Sequence, residues 1–207
     1  MITVHHLNFS RSSRILIVLE ELDLKYRLVA YERDPAFRAP VSLSSVHPLG
    51  KAPVIQDGDL VLAESAVILT HINDRHGGGR LAPPIGSDDR ARHDEWLHYA
   101  EGSAALPLIV SLMHKMLGGV SEGVLQYVQP ELRKALGHLV KGIGQGPYLL
   151  GEKLSLADIQ LSYLLDLGRG AHLLDEHPEL VTYLNRLFAR PAFVRALQIG
   201  GPMAPPR

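Results

Sequence analysis

The most informative segment for the fold is His47-Pro-Leu-Gly-Lys-Ala-Pro-Val-Ile55, in which Pro53 opens a short apolar segment. Proline lacks an N–H and is tolerated in a sheet only at the start or edge of a strand, so a strand is expected to begin here. A cis bond to Ala52 would turn its backbone outward and leave its N–H and C=O open to an extended peptide ligand. An ordinary turn with a trans bond is the alternative, and it is the commoner form of an X-Pro bond.

The segments on either side predict a small α/β layer. Four segments rich in apolar and β-branched residues predict strands: Ile2–Leu7, Arg27–Tyr31, Pro53–Gln56 and Leu60–Ala63. Two segments with apolar residues every three or four positions predict helices: Ser12–Leu24 and Glu64–His76. Because a helix connects the first two strands, they should be parallel, whereas Asp57-Gly58 favours an antiparallel hairpin between the last two.

A turn-rich stretch, Gly77–Ser87, separates this layer from a part of the chain with only helical patterns. The predicted helices are Asp88–Leu117, Glu122–Lys141, Leu156–Leu173, Pro178–Ala189 and Ala192–Gln198. One start is well defined, because Ser155 and Asp158 form a capping-box pattern flanked by apolar residues. We therefore predict an α/β domain over residues 1–80, a linker over 81–87 and an all-helical domain over 88–207.

Composition excludes several classes of protein. The 207 residues are 46% hydrophobic and 21% charged, which is ordinary for a globular chain with a buried core. A net charge of -1 gives no positive field for nucleic acid or an anionic membrane. There is no cysteine, so disulfides, thiolate metal sites and any protein thiol are excluded. With no secretory or membrane-spanning pattern, we expect a cytoplasmic protein.

Two further motifs lie where such a layer exposes its strand ends. Asn8-Phe-Ser-Arg-Ser-Ser-Arg14 is a polar turn rich in hydroxyls, for which simple helix capping is the alternative interpretation. At Glu64-Ser65 a helix begins, and its free backbone N–H groups with the Ser65 hydroxyl could receive a carboxylate. Glu64 could accept a ligand ammonium, although the pair would more often be an acidic first turn and a cap.

Taken in this order, His47–Ile55, Glu64-Ser65 and Leu154–Ile159 carry a resemblance to the cytosolic glutathione transferases over essentially the full chain. The resemblance implies a thioredoxin-like N-terminal domain, a helical C-terminal domain and a detoxifying transferase with glutathione as cosubstrate. Pro53 is similar to the cis-proline of the family, and Ala52 to the residue that pairs with the cysteinyl backbone of glutathione. Glu64-Ser65 resembles the γ-glutamyl receptor. The cations implied near the glycyl carboxylate are Lys51, Arg38 and Arg11.

The resemblance also implies a way to activate the thiol. Ser10 lies where serine-type, theta-like members place their catalytic hydroxyl, and Asn-x-Ser-Arg resembles a related fungal and bacterial branch. A neighbour in the Asn8–Ser13 turn is the alternative. No tyrosine occurs in the first 25 residues, so the tyrosine-type mechanism is excluded. The absence of cysteine excludes the disulfide-exchange chemistry of the cysteine-type classes.

An electrophile is expected between the domains, where pockets commonly form. The candidate lining residues, for which packing in the core is the alternative, are Phe9, Tyr99, Ser103, Leu106, Pro107 and Val110. The family resemblance implies a homodimer through Glu64–His76 and Asp88–Leu117, with Glu101 reaching a partner's ligand. The alternatives to a conjugating enzyme are a glutathione-binding protein with weak activity and a glutathione-dependent peroxidase.

None of the 11 histidines forms a pair with a spacing typical of metal ligands on one helix face. His93 and His98 are five residues apart, as are His71 and His76, which places each pair roughly 140° apart around an ideal helix. Neither pair is therefore expected to share a metal ion, and we predict no metal site.

Overall fold

The computed structural model describes residues 1–205. Contacts between backbone positions divide it into two compact units, one of Met1–Pro83 with the described residues from Ala189, the other of Pro84–Phe188. The sequence-based division placed residues 189–207 in the helical domain, whereas the described residues from Ala189 group with the first unit. The physical reason is local: the last helix packs on the first one.

The first unit is a thioredoxin-like layer with a four-stranded sheet in the order β2-β1-β3-β4. Its strands are β1 (Ile2–Leu7), β2 (Tyr26–Tyr31), β3 (Val54–Asp57) and β4 (Leu60–Ala63). Its helices are α1 (Ser13–Glu21), α2 (Ser65–Arg75) and the last helix, α8 (Pro191–Gly200); residues Val41–Ser45 form a 3-10 turn.

The predicted strand directions are confirmed. β1 and β2 are parallel, and β3 pairs antiparallel with both β1 and β4. Every residue of β1 is buried, as expected for a central strand covered on both faces. Gly58 has a φ of 65°, the left-handed conformation that a two-residue hairpin requires and that glycine adopts at little steric cost.

Helix α8 packs on α1, and two ion pairs fix its position. Arg190 forms a bidentate pair with the buried Glu21, at 2.6 and 2.8 Å. Arg195 Nε lies 2.8 Å from Glu20 Oε2. Phe193 between them is fully buried, so this end of the chain forms part of the core of the first unit.

The second unit is entirely helical. Its helices are α3 (Asp88–Tyr99), α4 (Ala105–Leu117), α5 (Glu122–Ile143), α6 (Leu156–Gly170) and α7 (Pro178–Phe188). The predicted single helix over Asp88–Leu117 is wrong in one respect, because Ala100–Ala104 is a π-helical segment. Pro107 explains it: the proline has no N–H for Ser103 C=O, and its ring clashes with that carbonyl in a regular helix.

The predicted capping box at the start of α6 is confirmed. Asp158 is completely buried and accepts hydrogen bonds from the backbone N–H and hydroxyl of Ser155 at 2.8 and 2.7 Å. It also accepts from Leu149 N–H at 3.0 Å and from the Tyr183 hydroxyl at 2.6 Å. The carboxylate therefore joins three parts of the second unit. Among residues 1–205, no helix has the length and apolar character needed to cross a membrane.

Candidate functional site

The Asn8–Ser13 turn is held by a buried network of hydroxyl groups. Ser10 is 5% exposed, and its hydroxyl lies 2.7 Å from both Leu7 O and Ser12 Oγ. The Ser12 hydroxyl lies 2.8 Å from His6 Nδ1, and Leu7 N–H donates to Ser12 Oγ at 3.1 Å. Since a hydroxyl has one proton, Ser10 in this arrangement donates it within the protein.

His6 sets the direction of these hydrogen bonds. Its Nε2 lies 2.9 Å from the carbonyl oxygen of Gly200, which can only accept, so Nε2 carries the proton. Burial lowers the pKa of His6, although the contacts with Gly200 and Ser12 oppose this, so the imidazole is neutral and Nδ1 is an acceptor. Ser12 consequently donates to Nδ1, and the Ser10 proton goes to Ser12 or Leu7.

Arg33, which the sequence analysis did not single out, fixes the other side of the turn. Its guanidinium donates to the carbonyl oxygens of Asn8 and Phe9 at 3.2 and 2.8 Å, and to that of Phe37 at 2.8 Å. Phe9 has a φ of 50°, which is costly for a residue with a side chain and is maintained here by these bonds. No local sequence signal distinguishes Arg33 from a solvent-exposed arginine.

The His47–Ile55 motif has the predicted backbone geometry. The Ala52–Pro53 peptide bond is cis, as expected. Pro53 is buried and directly precedes β3. In the described part of the chain, neither the N–H nor the C=O of Ala52 has a hydrogen-bond partner. The segment that leads into β3 therefore presents one backbone donor and one backbone acceptor.

The Glu64-Ser65 motif lies at the N-terminus of α2. Glu64 is exposed and has a φ of 68°, so, like Phe9, it is a residue other than glycine in the left-handed region. Ser65 is 5% exposed, and its hydroxyl accepts a hydrogen bond from Arg14 NH1 at 3.2 Å. Arg14 is completely buried and belongs to the first turn of α1. A buried guanidinium and a helix N-terminus thus place positive charge at the same point.

Some of the predicted site residues are connected by hydrogen bonds, and others are not. Arg14 connects the beginning of α1, next to the Asn8–Ser13 turn, to Ser65. Lys51 and Arg38 are exposed, and Arg11 is half-buried. Among residues 1–205, no hydrogen bond or ion pair joins Lys51, Arg38 or Glu64 to the turn.

The candidate residues for the electrophile differ in their surroundings. Tyr99 donates to Ala135 O at 3.0 Å and packs on Trp96 and His138, and burial raises its pKa to about 12. Its hydroxyl is therefore part of the packing of the helical unit. The remaining candidates are Phe9, which is half-buried and stacks on Phe37, the exposed Ser103 and Leu106, the buried Pro107 and the half-buried Val110.

The predicted separation of the His71 and His76 side chains around one helix is wrong. Both Nε2 atoms contact Asp57 Oδ2, at 2.8 and 2.7 Å. The spacing argument assumed one continuous helix, but α2 ends at Arg75, and His76 follows it with a φ of -119°. The hydrogen bond from His76, then that from His71, holds the pKa of Asp57 at about 2.

Comparison with known proteins identifies the family. The model of the glutathione S-transferase N-terminal domain matches residues 1–74, and that of the C-terminal domain matches residues 112–197. Glutathione S-transferase 4 of Zea mays is 31% identical over 200 residues, covering 90% of this chain and 86% of that protein.

Solved structures agree with this assignment. A glutathione S-transferase from Actinobacillus pleuropneumoniae has a TM-score of 0.88 and 34% identity, covering 97% of this chain and 93% of the other. A family member from Pseudomonas fluorescens, solved with two glutathione molecules bound, has a TM-score of 0.81 and 26% identity, covering 95% of this chain and 92% of the other. The chain belongs to the glutathione S-transferase family and is a glutathione transferase.

Proposed function

We propose that this enzyme conjugates the thiolate of glutathione to electrophilic apolar small molecules. The observation that carries the proposal is the buried Arg14 guanidinium, 3.2 Å from the Ser65 hydroxyl at the N-terminus of α2. An anionic carboxylate is stabilised where a helix N-terminus and a buried cation coincide. The γ-glutamyl carboxylate is the group of glutathione that this site suits.

The rest of the tripeptide is assigned to the adjacent motifs. The N–H and C=O of Ala52 would pair with the cysteinyl backbone, as in the addition of a strand to a sheet edge. Glu64 would accept from the γ-glutamyl ammonium. The glycyl carboxylate would attract Lys51, with Arg38 or Arg11. The exposed position of Lys51 and Arg38 is consistent with a charge that is screened by solvent and contributes modestly.

The thiol must be activated, because a free thiol with a pKa of ~8.5 is only about 3% thiolate at pH 7. A hydrogen bond from Ser10 to the thiolate would contribute ~1.5–3 kcal/mol, but Ser10 must first give up a bond worth about 1 kcal/mol. The net gain of ~0.5–2 kcal/mol lowers the thiol pKa by roughly half to one and a half units.

Asn8 is the second candidate, favoured by a specific observation. Its Oδ1 is buried without a hydrogen-bond partner, and no described residue accepts from its amide nitrogen. A bond from this amide to the thiolate would therefore cost no bond within the protein, and it would lower the thiol pKa by roughly one to two units. We expect Asn8 to contribute more than Ser10.

A thiolate titration of bound glutathione, followed by ultraviolet absorbance, tests this order. Asn8→Ala should raise the thiol pKa by roughly one to two units and lower the rate at pH 7 about tenfold or more, and Ser10→Ala should have a smaller effect. Ser13→Ala is the matched control, because the Ser13 hydroxyl is buried in the same turn without a partner. If neither Asn8→Ala nor Ser10→Ala shifts the midpoint, thiol activation belongs to Arg11 or Ser12.

An apolar electrophile is supported by the exposed face of α4. Leu106 is 65% exposed although large and apolar, and Ser103 beside it lies in the π-helical segment. Conjugation of glutathione to an aryl halide, measured beside calorimetric glutathione binding, separates the alternatives. Binding without turnover over a broad electrophile panel would favour a binding protein. Turnover restricted to hydroperoxides would favour a peroxidase, in which glutathione supplies the thiol.

The enzyme is also proposed to act as a homodimer in the cytoplasm. The exposed apolar side chains on the two helical regions assigned to the interface are consistent with this: Val67 in α2 is 47% exposed and Met113 in α4 is 48% exposed. Sedimentation equilibrium at micromolar concentration should give twice the chain mass. A single species at the monomer mass would contradict the proposal.

A further inference from the structure

Three side chains with metal-binding atoms meet at the end of α2 remote from Ser65. Asp57 is the last residue of β3, His71 lies in the last two turns of α2, and His76 directly follows that helix. The carboxylate oxygen and the two Nε2 atoms all lie within 4.8 Å of one another. At 1.5 Å per residue, His71 lies about 9 Å and the end of α2 about 15 Å along the helix from Ser65.

From this arrangement we infer that Asp57, His71 and His76 bind one divalent transition-metal ion. Two imidazole nitrogens and one carboxylate oxygen are a donor set that suits zinc, whereas calcium and magnesium prefer oxygen ligands alone. Three protein ligands leave a fourth tetrahedral position, which water would occupy.

The geometry requires only small adjustments. Zinc bonds of about 2.0–2.2 Å place tetrahedral ligand atoms about 3.4 Å apart. The two Nε2 to Oδ2 distances are 2.8 and 2.7 Å, so each would lengthen by about 0.6 Å when the ion replaces the two N–H protons between them. The His76 side chain is 30% exposed and His71 is 16% exposed, so rotation of His76 can supply most of this change.

The environment sets the expected strength of the site. The Asp57 side chain is only 9% exposed, so one ligand is fixed in place before the ion arrives. Arg75 Nε lies 3.7 Å from Asp57 Oδ2 and opposes a second cation there. The Arg75 side chain is 65% exposed and can turn into solvent, which reduces this repulsion. The expected site is therefore of moderate affinity.

Zinc titration of the full chain by calorimetry, after removal of bound metals with a chelator, tests the inference. The expected result is one saturable site per chain that is weakened about tenfold or more in Asp57→Asn, His71→Ala and His76→Ala. His172→Ala is the matched control: it removes an imidazole that also lies beside a carboxylate, Asp175, at 3.3 Å, but without a third ligand. The control should bind zinc as the unaltered chain does.

Two further measurements test the proposed zinc site without removing a ligand. Arg75→Gln leaves every ligand in place, and loss of the nearby positive charge should tighten binding about two- to fivefold at low ionic strength. Saturating zinc should raise the melting temperature, because the ion joins the β3–β4 hairpin to the end of α2. The inference is overturned by the absence of a saturable site, by one-to-one binding that persists in both histidine variants, or by an Arg75→Gln affinity no higher than that of the unaltered chain.

Discussion

Replacement of Asp158 should be among the most damaging single changes to the helical unit. Asp158→Ala leaves four buried donors without their acceptor: two backbone N–H groups, of Leu149 and Ser155, and two hydroxyls, of Ser155 and Tyr183. Each unsatisfied buried donor costs ~1–3 kcal/mol, but the hydroxyls can rotate, and the buried carboxylate no longer has to be desolvated. We expect the free energy of unfolding to fall by ~3–5 kcal/mol, a large part of the ~5–15 kcal/mol typical of a domain.

The partner variants should be milder. Tyr183→Phe leaves Asp158 with three of its four donors and should cost about 1 kcal/mol, and Ser155→Ala, which keeps its backbone bond, should cost about the same. Urea denaturation followed by the fluorescence of Trp96, the sole tryptophan, measures these changes in the right unit, since Trp96 stacks on His138 at 4.6 Å. The reasoning is refuted if Asp158→Ala costs less than about 1 kcal/mol, or if Tyr183→Phe costs as much.

Three further predictions concern Gly200, His6 and Ser65 of the first unit, and Gly137 of the second unit serves as the control for Gly200. A Cβ on Gly200 would lie 2.5 Å from the buried Leu16 Cδ1 and 3.0 Å from the His6 ring, so Gly200→Ala should destabilise the chain by ~1–3 kcal/mol in urea denaturation. Gly137→Ala, whose Cβ meets nothing within 4 Å inside α5, should instead stabilise it by up to ~1 kcal/mol. Burial lowers the pKa of His6 below 6.5, so protonation favours the unfolded chain and stability is lost as the pH falls through about 6.5. Replacing His6 with Asn should flatten this dependence by up to ~1.4 kcal/mol per pH unit, and an unchanged slope in pH-dependent denaturation would contradict the assignment. Ser65→Ala should weaken glutathione binding about tenfold or more in calorimetry with little change in kcat, because its hydroxyl is proposed to bind the γ-glutamyl carboxylate and not the thiol.

Short-range patterns were sufficient to predict most of the fold. Apolar periodicity predicted an α/β unit followed by a helical unit. Gly58 predicted the antiparallel pairing of β3 and β4, and Ser155 with Asp158 predicted where α6 begins. The break at Ala100–Ala104 was not predicted, because the apolar spacing continues through it. Pro107 was the available signal, since a proline in a helical pattern disrupts the backbone four residues earlier.

Contacts between distant residues could not be predicted in this way. Arg14 and Ser65 are 51 positions apart, and His6 and Gly200 are 194 apart. The sequence around a buried arginine or histidine does not indicate which distant residue it will contact. The Arg14 guanidinium beside Ser65 and the direction of the Ser10 hydrogen bond could therefore be identified only from the structure. The approach of His71 to His76 was missed for a different reason. The predicted angle of roughly 140° between them assumed one continuous helix, but α2 ends at Arg75.

The packing of α8 on α1 has a consequence for the order in which the protein can be made. In chain order, the whole helical unit is an insertion into the first unit, between Pro83 and Ala189. At ~5–20 residues per second, a ribosome needs roughly 5–20 s to synthesise this insertion. During this time α1 cannot pack against α8, because α8 has not yet been synthesised. The first unit therefore cannot be completed before Gly200 has been synthesised. For the same reason, a chimera joined at residue 83 separates α1 from its own α8, whereas one that carries residues 189–205 with residues 1–83 keeps this core from a single parent.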